Sequence, residues 1–208
     1  PPEIRIRGSA GRFAPYHRRP IRDGSLADHQ NGAASGWREV TQGTGLVRLA
    51  LILSCVSLHA MDVFVIATIL PSVVADIGGV AFYAWPSALY IVASILGAAS
   101  GGILAANMGL RRALTVAASV YLLGALICAS APHMAIFLAG RAAQGLGGGL
   151  MVSLAYTMTR QLFPESLRPR VFAMMSVIWG VAALAGPIMA GAFAQLGFWR
   201  GVYWLTLP

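Results

Sequence analysis

Long apolar stretches separated by short polar links make up the chain after residue 45. Each complete stretch holds about 20 residues or more, which as a helix crosses the roughly 30 Å hydrocarbon core of a bilayer. Strands of a membrane barrel would be about 10 residues long with alternating polarity, a pattern that is not seen. The predicted spans are 46–70, 85–108, 113–131, 134–158 and 171–196, and a sixth begins near residue 201 and stops at residue 208. The pattern therefore predicts an all-α polytopic membrane protein.

The first 45 residues have a different character. They hold seven of the 15 arginines and four of the seven acids, are rich in Gly, Pro and Ser, and show no helical or strand period. We expect a flexible, basic cytoplasmic tail. A basic tail is also typical of nucleic-acid binding, but the membrane-like remainder favours a solvated extension near anionic lipid, with no nucleic-acid partner.

Composition and charge place the chain in the membrane and orient it. It is 57% hydrophobic and 11% charged, whereas soluble domains carry about 45–50% apolar and about 25% charged residues. A soluble enzyme is therefore a poor interpretation. If the tail is cytoplasmic, 13 of the 15 arginines fall on that side, which is a strong positive-inside signal. We expect a multi-pass protein of the plasma (inner) membrane with its N-terminus in the cytoplasm.

Two charges inside the predicted spans are the strongest functional candidates. Asp62 lies about 12 Å below the outer end of the first span, and Arg141 about 10 Å below the outer end of the fourth. A charge at mid-bilayer costs roughly 2.5–3.5 kcal/mol, so each should face a cavity or a partner. Opposite charges at matched depth predict one site. A purely structural ion pair is the alternative.

Other polar and small residues lie on the faces that carry these charges. His59 precedes Asp62 by three residues and either relays protons to it or only bonds a neighbouring helix. Gln144 and Gly145 share a face with Arg141. Pro187 predicts a kink in the fifth span. Small residues at four-residue spacing usually indicate close helix packing.

The chain shows no signature of an enzyme or a metal protein. It contains no Lys and therefore no Walker-type phosphate loop, and it has no HExxH or GxSxG motif. Two cysteines without paired histidines do not form a metal site. No enzymatic activity, cofactor or metal is predicted.

The order of several short motifs resembles the major facilitator superfamily, and within it the multidrug:proton antiporter branch of the 14-helix exporter type. The resemblance covers about residues 46–208. The matching segments are Asp62 to Pro71, Trp85 to Tyr90, Gly102 to Gly109 with Arg111 and Arg112, Arg141 to Gly147, Ala182 to Gly186-Pro187 and Gly191, and Trp199-Arg200 with Tyr203 and Pro208.

The resemblance implies an N-terminal six-helix bundle, cut early in helix six, that faces a second bundle across a central cavity. It implies small-molecule and proton partners, with Asp62 in proton coupling and Arg141, Gln144 and Tyr90 at the cavity. A gating role is implied for Gly102, Gly109, Arg111, Arg112, Gly145, Gly186, Pro187 and Gly191. We expect the chain to lack the C-terminal half of the transporter and not to transport alone.

Two departures from the family pattern and two rival functions stay open. Ala106 and Asn107 replace the usual Asp and Arg of the cytoplasmic loop, which weakens the implied latch there. Phe64 replaces a small polar residue near Asp62, so we expect a more apolar pocket. A uniporter or symporter of the same fold is the main alternative to efflux, and a receptor or scaffold is a weaker one.

Overall fold

Six α-helices and one 3₁₀ turn make up residues 44–206, the part of the chain that the computed structural model describes. The α-helices are α1 (Thr44–Ile77), α2 (Trp85–Met108), α3 (Leu110–Ser130), α4 (Met134–Leu162), α5 (Arg168–Gln195) and α6 (Gly201–Leu205), with the 3₁₀ turn at Val80–Phe82 between α1 and α2. The first five are long and apolar enough to cross a membrane. The all-helical architecture predicted from the sequence is confirmed. The predicted flexible tail lies outside the described residues, except at its junction with α1.

The sequence predicted that the first helix would end at Leu70, but the helix is longer. It continues through Pro71 to Ile77. Proline costs a helix one backbone hydrogen bond, but membrane helices tolerate this loss where neighbouring helices compensate. Here Val73, beyond the proline, is fully buried in an apolar cluster with Met134. Packing against α4 thus holds the extra turns in place.

Other helices also extend past the apolar runs that predicted them. α3 begins at Leu110 rather than 113, α4 runs to Leu162 rather than 158, and α5 begins at Arg168 rather than 171. The added residues include arginines at the ends of the helices. An apolar run marks the part of a helix inside hydrocarbon, whereas the helix itself continues into the polar interface. Only α2 has the predicted bounds, 85–108.

Helix α4 is the centre of the bundle and packs against α1, α2 and α3. Its glycines allow this close approach. A β-carbon at Gly145 would lie 2.3 Å from the carbonyl oxygen of Tyr90 on α2, and one at Gly147 would lie 2.4 Å from the backbone nitrogen of Tyr121 on α3. Gly97 on α2 approaches α4 in the same way. The small residues therefore set the spacing between helix backbones.

The two ends of the bundle differ in charge. At one end Arg48 and Arg111 line a cavity of about 430 Å³ together with Met158, so the start of α1, the start of α3 and the end of α4 lie together. At the other end Asp76 forms an ion pair with Arg200. This arrangement is the alternation of helix directions that the arginine distribution predicts.

Candidate functional site at a buried ion pair

Asp62 of α1 and Arg141 of α4 form a buried ion pair. The Nη1 atom of Arg141 lies 2.9 Å from Oδ1 of Asp62, and the side chains are 0% and 4% exposed respectively. The matched depth of the two charges in the sequence thus corresponds to direct contact. The pair joins two helices that are distant in sequence, so a change at either charge acts on both.

Arg141 is also held by three uncharged groups. Nη1 donates a second hydrogen bond to Oε1 of Gln144 at 2.8 Å. Nε donates to the backbone carbonyl of Pro86, at the start of α2, at 3.4 Å. The guanidinium carbon lies 4.2 Å from the centre of the Tyr90 ring, in a cation–π contact. These contacts hold the guanidinium through groups other than Asp62.

Three polar atoms of this cluster find no hydrogen-bond partner among residues 44–206. They are Oδ2 of Asp62, Nη2 of Arg141 and Nε2 of Gln144. Buried polar atoms are nearly always paired in native structures, and an exception needs an explanation. Here all three belong to one connected group. The cluster therefore keeps hydrogen-bonding capacity that its present arrangement does not use.

His59 lies one helical turn from Asp62, but its side chain bonds a residue on another helix. The Tyr90 hydroxyl lies 2.9 Å from Nδ1 of His59. The imidazole also stacks on the Tyr90 ring, at 5.6 Å between ring centres, and meets the edge of Trp179 on α5 at 5.9 Å. The sequence left two roles open for His59, a proton relay to Asp62 or a bond to a neighbouring helix. The observed contacts are of the second kind.

The motif residues on α5 lie against α1. A β-carbon at Gly186 would lie 3.0 Å from the Phe64 β-carbon. Phe64 is half-buried and meets Trp179 edge to face, at 6.1 Å between ring centres. Pro187 lies inside α5, which continues to Gln195, and a β-carbon at Gly191 would lie 4.0 Å from Cγ2 of Thr68 on α1. This interface places an aromatic pair, Phe64 and Trp179, between α1 and α5, and Trp179 also contacts His59, one turn before Asp62.

The loop motif between α2 and α3 is remote from the ion pair. Gly109 has a φ of 83°, a left-handed conformation that favours glycine and turns the chain directly from α2 into α3. Arg111 and Arg112 follow and are exposed, and Gly102 is exposed on α2. These residues lie at the end of the bundle opposite Asp76, so any gating role does not involve contact with Asp62.

Comparison with known proteins identifies the family. The model of the Major Facilitator Superfamily, a family of transporters, matches residues 52–208. The chain belongs to this superfamily. A crystal structure of a D-xylose-proton symporter superposes with a TM-score of 0.68 at 16% identity, over 76% of this chain and 44% of that one. At this identity the superposition shows the shared fold alone.

Relatives in the superfamily are much longer than this chain. A probable multidrug-efflux transporter of Mycobacterium tuberculosis (strain H37Rv) is 40% identical over 170 residues, which is 80% of this chain and 35% of that protein. An efflux pump of Gibberella fujikuroi is 34% identical over 154 residues, covering 73% of this chain and 27% of the pump. The chain therefore spans about a third or less of the length of these relatives.

Sequence reasoning missed several aromatic residues of this superfamily member's polar core. The Tyr121 hydroxyl lies close to Asp62 and donates to the Leu58 carbonyl at 3.4 Å. Trp179 brings His59 and Phe64 together. In an apolar span the sequence does not distinguish an aromatic residue of a functional site from one that only packs in the core. Only the hydroxyls of the tyrosines, which must find partners when buried, offered a signal.

Proposed function

We propose that this chain forms the first helical bundle of a proton-coupled efflux transporter for lipophilic small molecules. The bundle would lie in the plasma (inner) membrane with its N-terminus in the cytoplasm. The observation that carries the proposal is the Asp62–Arg141 pair, buried at 2.9 Å between α1 and α4. The names of the similar proteins, multidrug-efflux transporter and efflux pump, support the direction and the substrate class.

The pair offers a physical basis for proton coupling. Inside a low-dielectric bundle a carboxylate and a guanidinium attract each other strongly. A proton on Asp62 removes one of the two charges, while arginine stays charged. The Oδ2 atom of Asp62 has no hydrogen-bond partner among the described residues, so it is the oxygen that we assign as proton acceptor. Proton uptake then weakens the tie between α1 and α4.

The substrate would meet the aromatic pair between α1 and α5. Phe64 and Trp179 are half-buried, whereas Asp62 is buried, and Trp179 contacts His59, one turn before Asp62 on α1. A lipophilic molecule is held by such rings through apolar contact without competing for the ion pair. A second bundle would close the opposite wall of the cavity. The predicted gating residues at Gly102, Gly109, Arg111 and Arg112 would act at the cytoplasmic end.

The test is a transport assay on the complete transporter in proteoliposomes with an imposed pH gradient. We expect Asp62→Asn to fold and bind a lipophilic dye but to lose gradient-driven efflux. The control is Glu165→Gln, which neutralises a solvent-exposed acid in the link between α4 and α5 and should keep coupling. Undiminished coupling in Asp62→Asn contradicts the proposal. Wild-type transport that ignores the pH gradient indicates a uniporter.

A further inference from the structure

Tyr203 on α6 carries a buried hydroxyl with an unused hydrogen bond. The residue is 1% exposed, and its hydroxyl finds no partner among residues 44–206. A buried tyrosine hydroxyl normally has a partner, since leaving it unpaired costs free energy. The ring could have been a phenylalanine if packing were its whole role. The cost of burying this hydroxyl therefore needs an explanation other than packing.

This hydroxyl belongs to the surroundings of Arg141. The Tyr203 ring meets the edge of Phe137 at 5.9 Å between ring centres. Phe137 lies four residues before Arg141 on α4, on the same helix face. The phenol group is close enough to the guanidinium for the two to interact electrostatically. Nη2 of Arg141 also has no hydrogen-bond partner among residues 44–206, so the donor and the acceptor of an Arg141–Tyr203 hydrogen bond are both unused.

A set of contacts at the outer surface fixes the position of Tyr203. We name it the outer clasp: Asp76, Ala131, Trp199 and Arg200. The Trp199 indole donates to Oδ2 of Asp76 at 3.2 Å. Arg200 pairs with the same oxygen and donates from Nη2 to the Ala131 carbonyl at 2.9 Å.

The clasp is connected directly to the buried ring. Tyr203 follows Arg200 by three residues, one helical turn, and its backbone N–H donates to the Arg200 carbonyl at 3.1 Å. Trp199 meets the edge of Phe137 at 5.8 Å and of Tyr203 at 6.4 Å. The Tyr203 ring is thus packed against both Phe137 and Trp199, and Trp199 belongs to the outer clasp.

We propose that the Tyr203 hydroxyl is a replacement acceptor for Arg141: it takes a hydrogen bond from Nη2 when Asp62 becomes protonated. The inference rests on the proposed function. While Asp62 is ionised, Nη1 of Arg141 is shared between Asp62 and Gln144. Once Asp62 is neutral, the guanidinium keeps its charge in an apolar bundle and needs another oxygen. Tyr203 is therefore a positioning residue that stabilises the protonated state.

Other groups around the pair that titrate or carry charge come from three helices. They are His59 on α1, Tyr90 on α2, and Tyr121 and Cys128 on α3. The Tyr90 hydroxyl is engaged by His59 at 2.9 Å, and Tyr121 donates to a backbone carbonyl at 3.4 Å. The Cys128 thiol is 3.9 Å from the Gln144 amide oxygen. Among the described tyrosines near Arg141, Tyr203 is the one whose hydroxyl has no hydrogen-bond partner.

The first experiment is the pH profile of gradient-driven efflux by the complete transporter. Tyr203→Phe removes the hydroxyl and keeps the ring contacts. Without this hydroxyl the protonated state loses a hydrogen-bond acceptor, so a lower pH is needed to reach it. The pH of half-maximal efflux should fall by about one unit, which corresponds to the free energy of one hydrogen bond to a charged group. The control, Tyr156→Phe on the exposed side of α4, should leave the profile unchanged. An unshifted profile in Tyr203→Phe overturns the proposal.

A second experiment does not depend on transport. Asp62→Asn imitates the protonated carboxyl, so Arg141 should then rely on Tyr203. We expect Tyr203→Phe to lower the thermal unfolding midpoint at least twice as much in the Asp62→Asn background as in the wild type. Equal losses in the two backgrounds overturn the proposal. If wild-type efflux ignores the pH gradient, the proposed function fails, and this cycle still decides whether Tyr203 serves Arg141.

Discussion

Gly149 on α4 packs so closely against Ser94 on α2 that a β-carbon on the glycine would lie 2.0 Å from the Ser94 carbonyl oxygen. The obstacle is backbone, which cannot rotate away as a side chain does. Without a hydrophobic driving force between helices in lipid, this close contact is a main source of association between α2 and α4. Since α2 also supplies Pro86 and Tyr90 to Arg141, the glycine supports the site from a distance.

We therefore expect Gly149→Ala to destabilise the bundle by about 1–3 kcal/mol, the usual cost of overpacking. Thermal unfolding of the purified protein in detergent measures this loss. Gly180→Ala on α5 is the control, because a β-carbon there meets nothing within 4 Å. Alanine is the better helix former, so the control should be neutral or stabilising. Equal midpoints for the two variants would show that the α2–α4 contact can relax.

A second prediction concerns the shape of the Arg141 side chain rather than its charge. Its guanidinium bonds Asp62, Gln144 and Pro86 through two different nitrogens. A lysine has a single nitrogen and loses the planar fork that reaches these acceptors together. We expect Arg141→Lys to reduce gradient-driven efflux at least tenfold even though the positive charge is kept.

Arg160→Lys is the matched control for this substitution. Arg160 is exposed in the last turn of the same helix, and the conservative change there should leave efflux within twofold of the wild type. Full activity of Arg141→Lys would mean that charge alone is required. In that case the hydrogen bonds to Gln144 and Pro86 have no part in transport.

The sequence predicted the central pair of the site because charges inside apolar runs are rare and their depth can be counted along a helix. Asp62 and Arg141 stand out for that reason. Their contact does not depend on where α1 ends. The wrong helix boundary at Leu70 therefore did not affect the prediction that the two charges form one site. The helix ends were predicted less well, since α1 passes Pro71 through tertiary packing that no local pattern reveals.

The remaining partners needed the rotation of each helix about its axis. His59 shares a face with Asp62, yet its bond is to Tyr90 because α2 presents that ring to it. Tyr121 and Trp179 are aromatic residues in apolar surroundings, and their sequence context is that of ordinary core. Which nitrogen of Arg141 is left unpaired depends on angstrom-scale placement. Hydrophobic pattern predicts the helices and their depth, but not their facing side chains.

The bond between His59 and Tyr90 leads to a third prediction. Because His59 is engaged by another helix, proton movement to Asp62 should not pass through it. We expect His59→Gln, which keeps a hydrogen-bonding side chain, to retain the pH dependence of efflux. His59→Leu leaves the Tyr90 hydroxyl without this partner and should lower the unfolding midpoint. A flattened pH profile in His59→Gln would instead favour the proton relay considered from the sequence.

The outer clasp gives the last prediction. Arg200 pairs with Asp76 of α1 and donates to the Ala131 carbonyl after α3, and its guanidinium lies 4.3 Å from the centre of the Trp199 ring. The two charged side chains are 31% and 48% exposed, so water and salt screen their attraction and its direct contribution to stability is small. Arg200→Ala removes the hydrogen bond to Ala131 as well and should lower the unfolding midpoint. Asp76→Asn keeps that bond and an acceptor for Trp199, so its unfolding midpoint should fall less.

Raising the salt concentration should narrow the difference in unfolding midpoint between wild type and Asp76→Asn. Most of the drop in midpoint caused by Arg200→Ala should remain at high salt. The measurement is thermal unfolding at low and high salt. Identical midpoints for Arg200→Ala and the wild type under both conditions would show that the clasp does not hold α6, and would also remove the support that it lends to Tyr203.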